Sequence, residues 1–287
     1  MSSENAYYIP HDAKWPIVGS VGLSLFLGGF AGQLNGSSMA TNIMIVGFLI
    51  LVYMMFGWFG EVINESEAGS YNKLEDASFR MGMIWFIFSE VMFFAAFFGA
   101  LYYIRVFSVP WLGGEGSGAI TNEFIWSGFE AVWPTNGPAA IGGEYEKMGA
   151  WGLPAINTLI LLTSGATVTW AHWALIANKR KQLILGLATT VLLGFVFVGL
   201  QVLEYSHGYN ELNLTMGSGV YGSTFYMLTG FHGFHVTVGA IMLAVMLVRS
   251  MKGHFTPEKH FAFEAAAWYW HFVDVVWLGL FIFVYWL

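Results

Sequence analysis

Long apolar stretches separated by polar breaks dominate the pattern of hydrophobic and polar positions in this chain of 287 residues. A helix of about 20 mostly apolar residues is long enough to cross the hydrocarbon core of a bilayer. Seven stretches approach or exceed this length and predict membrane-spanning helices at residues 17–34, 41–62, 80–106, 155–177, 183–205, 222–249 and 262–287. The pattern therefore predicts an all-α integral membrane protein.

Two polar stretches are longer than the other connections. Residues 63–79 form a polar linker between the first two predicted helices and the remaining five. Residues 107–154 are rich in glycine and contain four prolines, which favours an irregular surface loop with a short helix at most. We therefore expect three segments, at residues 1–62, 63–79 and 80–287.

Composition and charge narrow the class of protein further. Only 10% of the residues are charged, whereas soluble domains carry about 25%. A net charge of -7 gives no reason to expect a nucleic-acid partner. The absence of cysteine excludes disulfides, thiolate metal sites and iron–sulfur clusters. The polar start MSSENAYYIPHDAKWP lacks a basic segment followed by an apolar one, so we expect no cleaved secretory signal.

The distribution of lysine and arginine predicts the orientation in the membrane. Cytoplasmic loops carry an excess of these residues. Two of the eleven, Arg105 and Lys147, fall on the side opposite the N-terminus. The other nine share its side: Lys14, Lys73, Arg80, Lys179, Arg180, Lys181, Arg249, Lys252 and Lys259. We therefore expect a cytoplasmic N-terminus, a periplasmic C-terminus and a periplasmic 107–154 loop, in a bacterial-type inner membrane.

Glu90 is a carboxylic acid near the middle of the third predicted helix. It lies ten residues after Arg80, or about 15 Å at the helical rise of 1.5 Å per residue. A charge at that depth costs roughly 2.5–3.5 kcal/mol. Its neighbours on the helix face are all apolar: Phe86, Ile87, Phe93 and Phe94. Glu90 must therefore find a partner on another helix, a lipid or water, or stay protonated, and we predict a proton-linked role.

Other polar residues are predicted to lie inside the membrane. His235, His271 and Asp274 reach a depth similar to that of Glu90 and are expected to form a loose polar layer with it. Further polar residues are expected to be buried for packing: His172, Glu204 and His232. Interhelical hydrogen bonding and a proton-linked role stay open for this layer.

A metal or haem site is a further alternative, because the i, i+3 spacing of His232 and His235 places both rings on one helix face. We expect no metal in this chain. A retinal pigment is excluded, since residues 262–287 contain no lysine.

Three polar residues cluster just after the sixth predicted helix, namely Arg249, Lys252 and His254. Positive charge is ordinary at this side of a membrane protein. The alternative is a site that binds the head group of an anionic phospholipid.

Several short blocks along the chain carry a family resemblance. They include RMGM at 80–83, SEVMFF at 89–94, VTWAH at 168–172, VYGSTF at 220–225, TGFHGFHV at 229–236, FE at 263–264 and WYWHFVDVVW at 268–277. In this order they resemble subunit III of the haem–copper cytochrome c oxidases, and the resemblance covers essentially the whole chain.

The resemblance implies two bundles, helices one and two against helices three to seven, with a V-shaped cleft filled by phospholipid. It implies that haems and copper belong to partner subunits I and II. The chain would stabilise subunit I and support proton uptake in a complex whose electron donor is cytochrome c. Glu90 would match the family's buried carboxyl at the lipid cleft and so contact lipid, as we also expect of the cluster of Arg249, Lys252 and His254.

Departures from the family pattern also appear. Trp173 stands where many relatives have a second histidine. Relatives often have a histidine near position 71 as well, where this chain has Tyr71. Asn64 replaces an arginine that is common before the Glu-Ser pair. Seven spans favour a cytochrome c-linked enzyme over a quinol-linked haem–copper oxidase, which is the alternative. Outside the family, the rivals are an independent transporter and a haem-bearing quinol-linked membrane subunit.

Overall fold

The protein is described by a computed structural model that covers residues 7–9 and 13–287. Within these residues all regular structure is helical and no strand occurs. The α-helices in chain order are α1 Trp15–Leu34, α2 Ala40–Glu67, α3 Lys73–Tyr103, α4 Val109–Leu112, α5 Ala119–Phe124, α6 Leu153–Ile176, α7 Arg180–Asn210, α8 Gly219–Lys252 and α9 Phe261–Leu280.

Seven helices in the described residues are long and apolar enough to cross a membrane, which confirms the predicted number. They are α1, α2, α3 with its continuation to Leu112, α6, α7, α8 and α9 with its continuation to Trp286. Most extend past the apolar stretch that predicted them, because backbone hydrogen bonding continues into the polar flanks. Residues 63–67 belong to α2 and residues 73–79 to α3, so the connection itself is only residues 68–72.

Short helical turns occupy the first part of the long connection before α6. A π-helical turn at Ile104–Ser108 leads into α4, and a 3-10 turn at Gly116–Gly118 leads into α5. The rest is irregular up to α6. Pro154 lies in the first turn of α6. Backbone N–H groups in a first turn have no acceptor within the helix, so the missing N–H of proline costs no hydrogen bond there.

The chain forms two compact units, one up to Met81 and the other Gly82–Leu287. In the first unit, α1 and α2 pack in opposite directions through glycines. A Cβ atom added to Gly29 would lie 2.5 Å from the backbone nitrogen of Met44, and one on Gly47 would meet the backbone of Phe26. Small residues permit this close approach of backbones, which is how membrane helices associate. The V-shaped, lipid-filled cleft implied by the resemblance stays a prediction.

Helix α9 supplies the largest buried side chains of the second unit. Trp270 and Trp277 are fully buried. The indole N–H of Trp270 donates to Ser164 Oγ over 2.9 Å, and that of Trp277 donates to Thr158 Oγ1 over 2.9 Å, so both polar groups are satisfied by α6. The core of this unit lies between α6, α7, α8 and α9.

Candidate functional site

Glu90 is paired with a histidine of another helix. Its Oε2 lies 2.7 Å from His235 Nε2, which joins α3 to α8. The other ring nitrogen, Nδ1, lies 2.6 Å from the carbonyl oxygen of Phe231. A carbonyl only accepts hydrogen bonds, so Nδ1 carries a proton and donates it. One further proton must therefore lie between Nε2 and Oε2, as a neutral acid facing a neutral imidazole or as an ion pair.

Aromatic rings surround this pair. The ring of Phe94 is 5.0 Å from that of His235 between centroids, and Tyr269 stacks on it at 6.3 Å. The His235 side chain is 8% exposed and that of Glu90 is 22% exposed. An apolar surrounding strengthens a satisfied hydrogen bond and makes an unpaired group costly. The sequence left open a partner on another helix, a lipid, water or a protonated acid for Glu90, and the structure places a histidine of α8 beside it.

The predicted polar layer divides into separate groups. His271 Nδ1 lies 3.6 Å from Asp274 Oδ2, which is too long for a hydrogen bond. His271 Nε2 lies 3.2 Å from Thr169 Oγ1 on α6. The contact between His271 and Thr169 connects α9 to α6, whereas the Glu90–His235 pair connects α3 to α8.

His232 and His235 serve different partners although they lie one turn apart. His232 Nε2 lies 3.1 Å from the carbonyl oxygen of Val273, and the fully buried ring packs between Phe197 and Trp277. With Nε2 directed at Val273 and His235 Nε2 at Glu90, the two rings do not converge on one ligand. The contacts of His232 are those of a packing residue.

Glu204 has a partner that sequence reasoning missed. The carboxyl is fully buried, and the hydroxyl of Tyr285 donates to its Oε1 over 2.6 Å. The two residues are 81 positions apart, and Tyr285 stands in an apolar stretch near the end of the chain. No local pattern in the sequence marks such a pair.

The three residues of the predicted lipid site differ in exposure. Arg249 is only 7% exposed, and its guanidinium carbon lies 4.6 Å from the ring centroid of Phe255. Lys252 is exposed and His254 is half-buried. Gly253, with φ of 83°, lets the chain turn back at the end of α8. Lys252 is therefore the member of this set most open to a head group.

The first unit contains a carboxylate cluster that the sequence did not predict. The hydroxyl of Tyr8 donates to Glu65 Oε1 over 2.9 Å, and that of Tyr71 donates to Oε2 of the same carboxylate. The backbone N–H of Tyr8 donates to Glu75. Burial and the hydrogen bond to Glu65 raise the pKa of Tyr71 above its ordinary value. Residue 71 thus contributes a hydroxyl donor where relatives are expected to have histidine.

His172 lies apart from the Glu90–His235 pair. It stands near the C-terminal end of α6, beside His260 and Glu264 at the start of α9. The distance from its Nε2 to Glu264 Oε1 is 3.7 Å. The sequence predicted burial for packing, and the ring also contacts Phe263.

Three known proteins similar to this chain carry the same description. Cytochrome c oxidase subunit 3 of Arabidopsis thaliana is 40% identical over 286 residues, which are 99% of this chain and 97% of the relative. The same subunit of Carassius auratus is 41% identical over 283 residues, which are 98% of this chain and 97% of that relative. The subunit of Marchantia polymorpha is 40% identical over 288 residues, which are 100% of this chain and 98% of that relative.

The spanning helices and the polar pairs between them define a multi-pass helical membrane protein. The profile of the family described as Cytochrome c oxidase subunit III matches residues 5–120 and 126–287. The chain belongs to the cytochrome c oxidase subunit III family. It is thus a subunit of a multi-subunit oxidoreductase complex, as the sequence blocks predicted.

Proposed function

We propose that this chain is a subunit without redox centres in a proton-pumping oxidase that passes electrons from cytochrome c to oxygen. It packs against subunits I and II, which hold the haems and copper, in a bacterial-type inner membrane. Its tasks are to stabilise subunit I, to bind phospholipid and to support proton uptake. The full-length family match carries this proposal.

The Glu90–His235 pair supports the stabilising and proton-linked tasks. It connects α3 to α8 through a 2.7 Å contact, so it helps to hold together the bundle that would support subunit I. The proton between Oε2 and Nε2 can belong to either atom without movement of the helices. We assign the proton-linked role beside a proton entry in subunit I to this pair.

Orientation follows from the charge count. Nine of the eleven basic residues fall on the side of the N-terminus, and this excess favours a cytoplasmic N-terminus. An odd number of spans then brings the C-terminus to the periplasm. The set of Arg249, Lys252 and His254 lies on the cytoplasmic side in this orientation, facing the leaflet whose anionic lipids attract basic residues.

Lys252→Ala is expected to weaken retention of an anionic phospholipid. Arg249 is packed against Phe255, so its substitution would also disturb the fold, whereas Lys252 is exposed. A basic residue near a membrane surface contributes about 1 kcal/mol, which corresponds to roughly fivefold in affinity. Native mass spectrometry of the purified protein with titrated anionic phospholipid measures the change. Lys259→Ala is the matched control, because Lys259 is an exposed lysine in the connection that follows. Equal retention in both variants would contradict the lipid site.

A mild-detergent pull-down of the tagged chain tests the function as a whole. We expect haem-bearing subunits to co-purify and to contribute a Soret band, which disappears when the chain is isolated from them. The complex depleted of the chain is expected to reduce oxygen at first and to lose activity faster during turnover. A Soret band in the isolated chain would favour a haem-bearing quinol-linked subunit. Transport by the isolated chain in vesicles would favour a transporter.

A further inference from the structure

Two histidines and one glutamate converge where α6 ends and α9 begins. His172 comes from the last turns of α6, His260 caps the start of α9, and Glu264 follows one turn later on the same face. One ligand atom from each lies within 4.8 Å of the other two. Their side chains are 25%, 11% and 17% exposed, respectively.

The hydrogen bond between His260 and Thr256 shows which ring nitrogen of His260 faces the carboxylate of Glu264. Its Nδ1 lies 3.0 Å from the carbonyl oxygen of Thr256, so Nδ1 donates there. The Nε2 of a neutral ring then carries a lone pair, and it lies 3.5 Å from Glu264 Oε1. A proton on Nε2 or a metal ion between the two atoms would turn this contact into an attractive one.

His172 makes a metal ion the better explanation. Its Nε2 is buried, makes no hydrogen bond and lies 3.7 Å from the same Glu264 Oε1. A proton on His260 could serve the carboxylate but would leave this second nitrogen without a partner. One ion among the three atoms would supply His172 Nε2 with the partner that it lacks.

We propose that His172, His260 and Glu264 form a binding site for a divalent transition-metal ion, with Zn²⁺ as the best fit. Tetrahedral Zn²⁺ with bonds of about 2.0–2.2 Å holds its ligand atoms about 3.3–3.6 Å apart. The 3.5 Å and 3.7 Å spacings are close to this range. Two imidazoles favour Zn²⁺ over Mg²⁺ and Ca²⁺, which prefer oxygen ligands. The hydrogen bond from His260 Nδ1 to Thr256 is the kind that orients a metal-binding imidazole.

The site would fasten the end of α6 to the start of α9 at the edge of the membrane. This role is separate from the proposed lipid and proton functions, because neither Glu90 nor Lys252 belongs to it. Water can complete the coordination, since all three side chains are partly exposed.

Equilibrium dialysis of the full-length chain in detergent tests the site. The protein is purified without a histidine tag, treated with chelator and titrated with Zn²⁺, and bound metal is counted by mass spectrometry. We expect one tight Zn²⁺ per chain. His260→Ala and Glu264→Gln should each weaken that binding at least about tenfold, because loss of an orienting contact alone costs 10–100-fold. His207→Ala is the matched control, since His207 and Glu211 also lie at i, i+4 but are exposed. It should leave the affinity unchanged.

X-ray absorption of the Zn²⁺-loaded wild-type chain provides a measurement that does not depend on the folding of any variant. We expect two imidazole nitrogens and oxygen in the first coordination shell. Absence of tight binding in the wild type, equal affinity in the ligand variants, or a coordination shell without imidazole would each overturn the proposal.

Discussion

Gly29→Leu is expected to separate α1 from α2 and to destabilise the first unit. A Cβ at this position would lie 2.5 Å from the backbone nitrogen of Met44 and 2.8 Å from its Cα. Backbone atoms cannot move aside as a flexible side chain can, so the helices must shift apart. Added methylenes in a well-packed interface cost roughly 1–3 kcal/mol and occasionally more. Denaturant titration in detergent micelles measures the loss in free energy of unfolding.

Gly28→Leu is the matched control for this substitution. Gly28 is the preceding residue of α1, and nothing lies within 4 Å of a Cβ atom added there. Both variants place the same apolar side chain in the same helix, so membrane insertion and helix propensity are matched. We expect Gly28→Leu to leave the free energy of unfolding nearly unchanged. Equal destabilisation by the two variants would show that the contact with Met44 does not hold the helices together.

His235→Leu is expected to destabilise the second unit by leaving Glu90 without its partner. Removing one member of a buried hydrogen-bonded pair costs roughly 1–3 kcal/mol, and more when the remaining group is charged. Glu90→Leu should also destabilise, since His235 Nε2 then loses its contact. The double variant should lose less free energy of unfolding than the two single variants lose together, because apolar side chains then replace both members and neither polar group is left unpaired. Free energies of unfolding in micelles, measured for the wild type, the two single variants and the double variant, give the interaction energy between Glu90 and His235.

His207→Leu is the control for this cycle. His207 and Glu211 are also paired, over 3.0 Å, but their side chains are 43% and 70% exposed. Exposed pairs contribute little to stability, so we expect almost no change. Strict additivity of the His235 and Glu90 substitutions would contradict an interaction between the two residues.

Glu90→Gln separates the structural role of the pair from its proton-linked role. Glutamine has nearly the same shape, and its amide can donate to His235 Nε2, but it cannot exchange a proton. In the assembled oxidase we expect normal assembly with slower proton uptake and faster loss of activity during turnover. Turnover and decay equal to those of the wild type would leave the pair with a structural role alone.

The local sequence was sufficient to predict the membrane-spanning helices and to place Glu90 within one of them. Span number depends on the length of apolar stretches, and all seven predicted spans are present. A lone acid within such a stretch is visible without any structure, because its helix-face neighbours are apolar. The helix ends were less visible, since α2 and α3 continue into residues that the polar pattern assigned to a linker.

The partners of the buried polar groups were decided only by the tertiary structure. His235 is 145 positions from Glu90, and Tyr285 is 81 from Glu204. Spanning helices are apolar on every side, because they face lipid as well as protein, so periodicity does not tell which face turns inward. The rotation and register of each helix, set by packing at glycines and tryptophans, determine which distant groups meet. The same packing brings His172 to His260 and Glu264, three residues whose spacing along the chain predicts no common site.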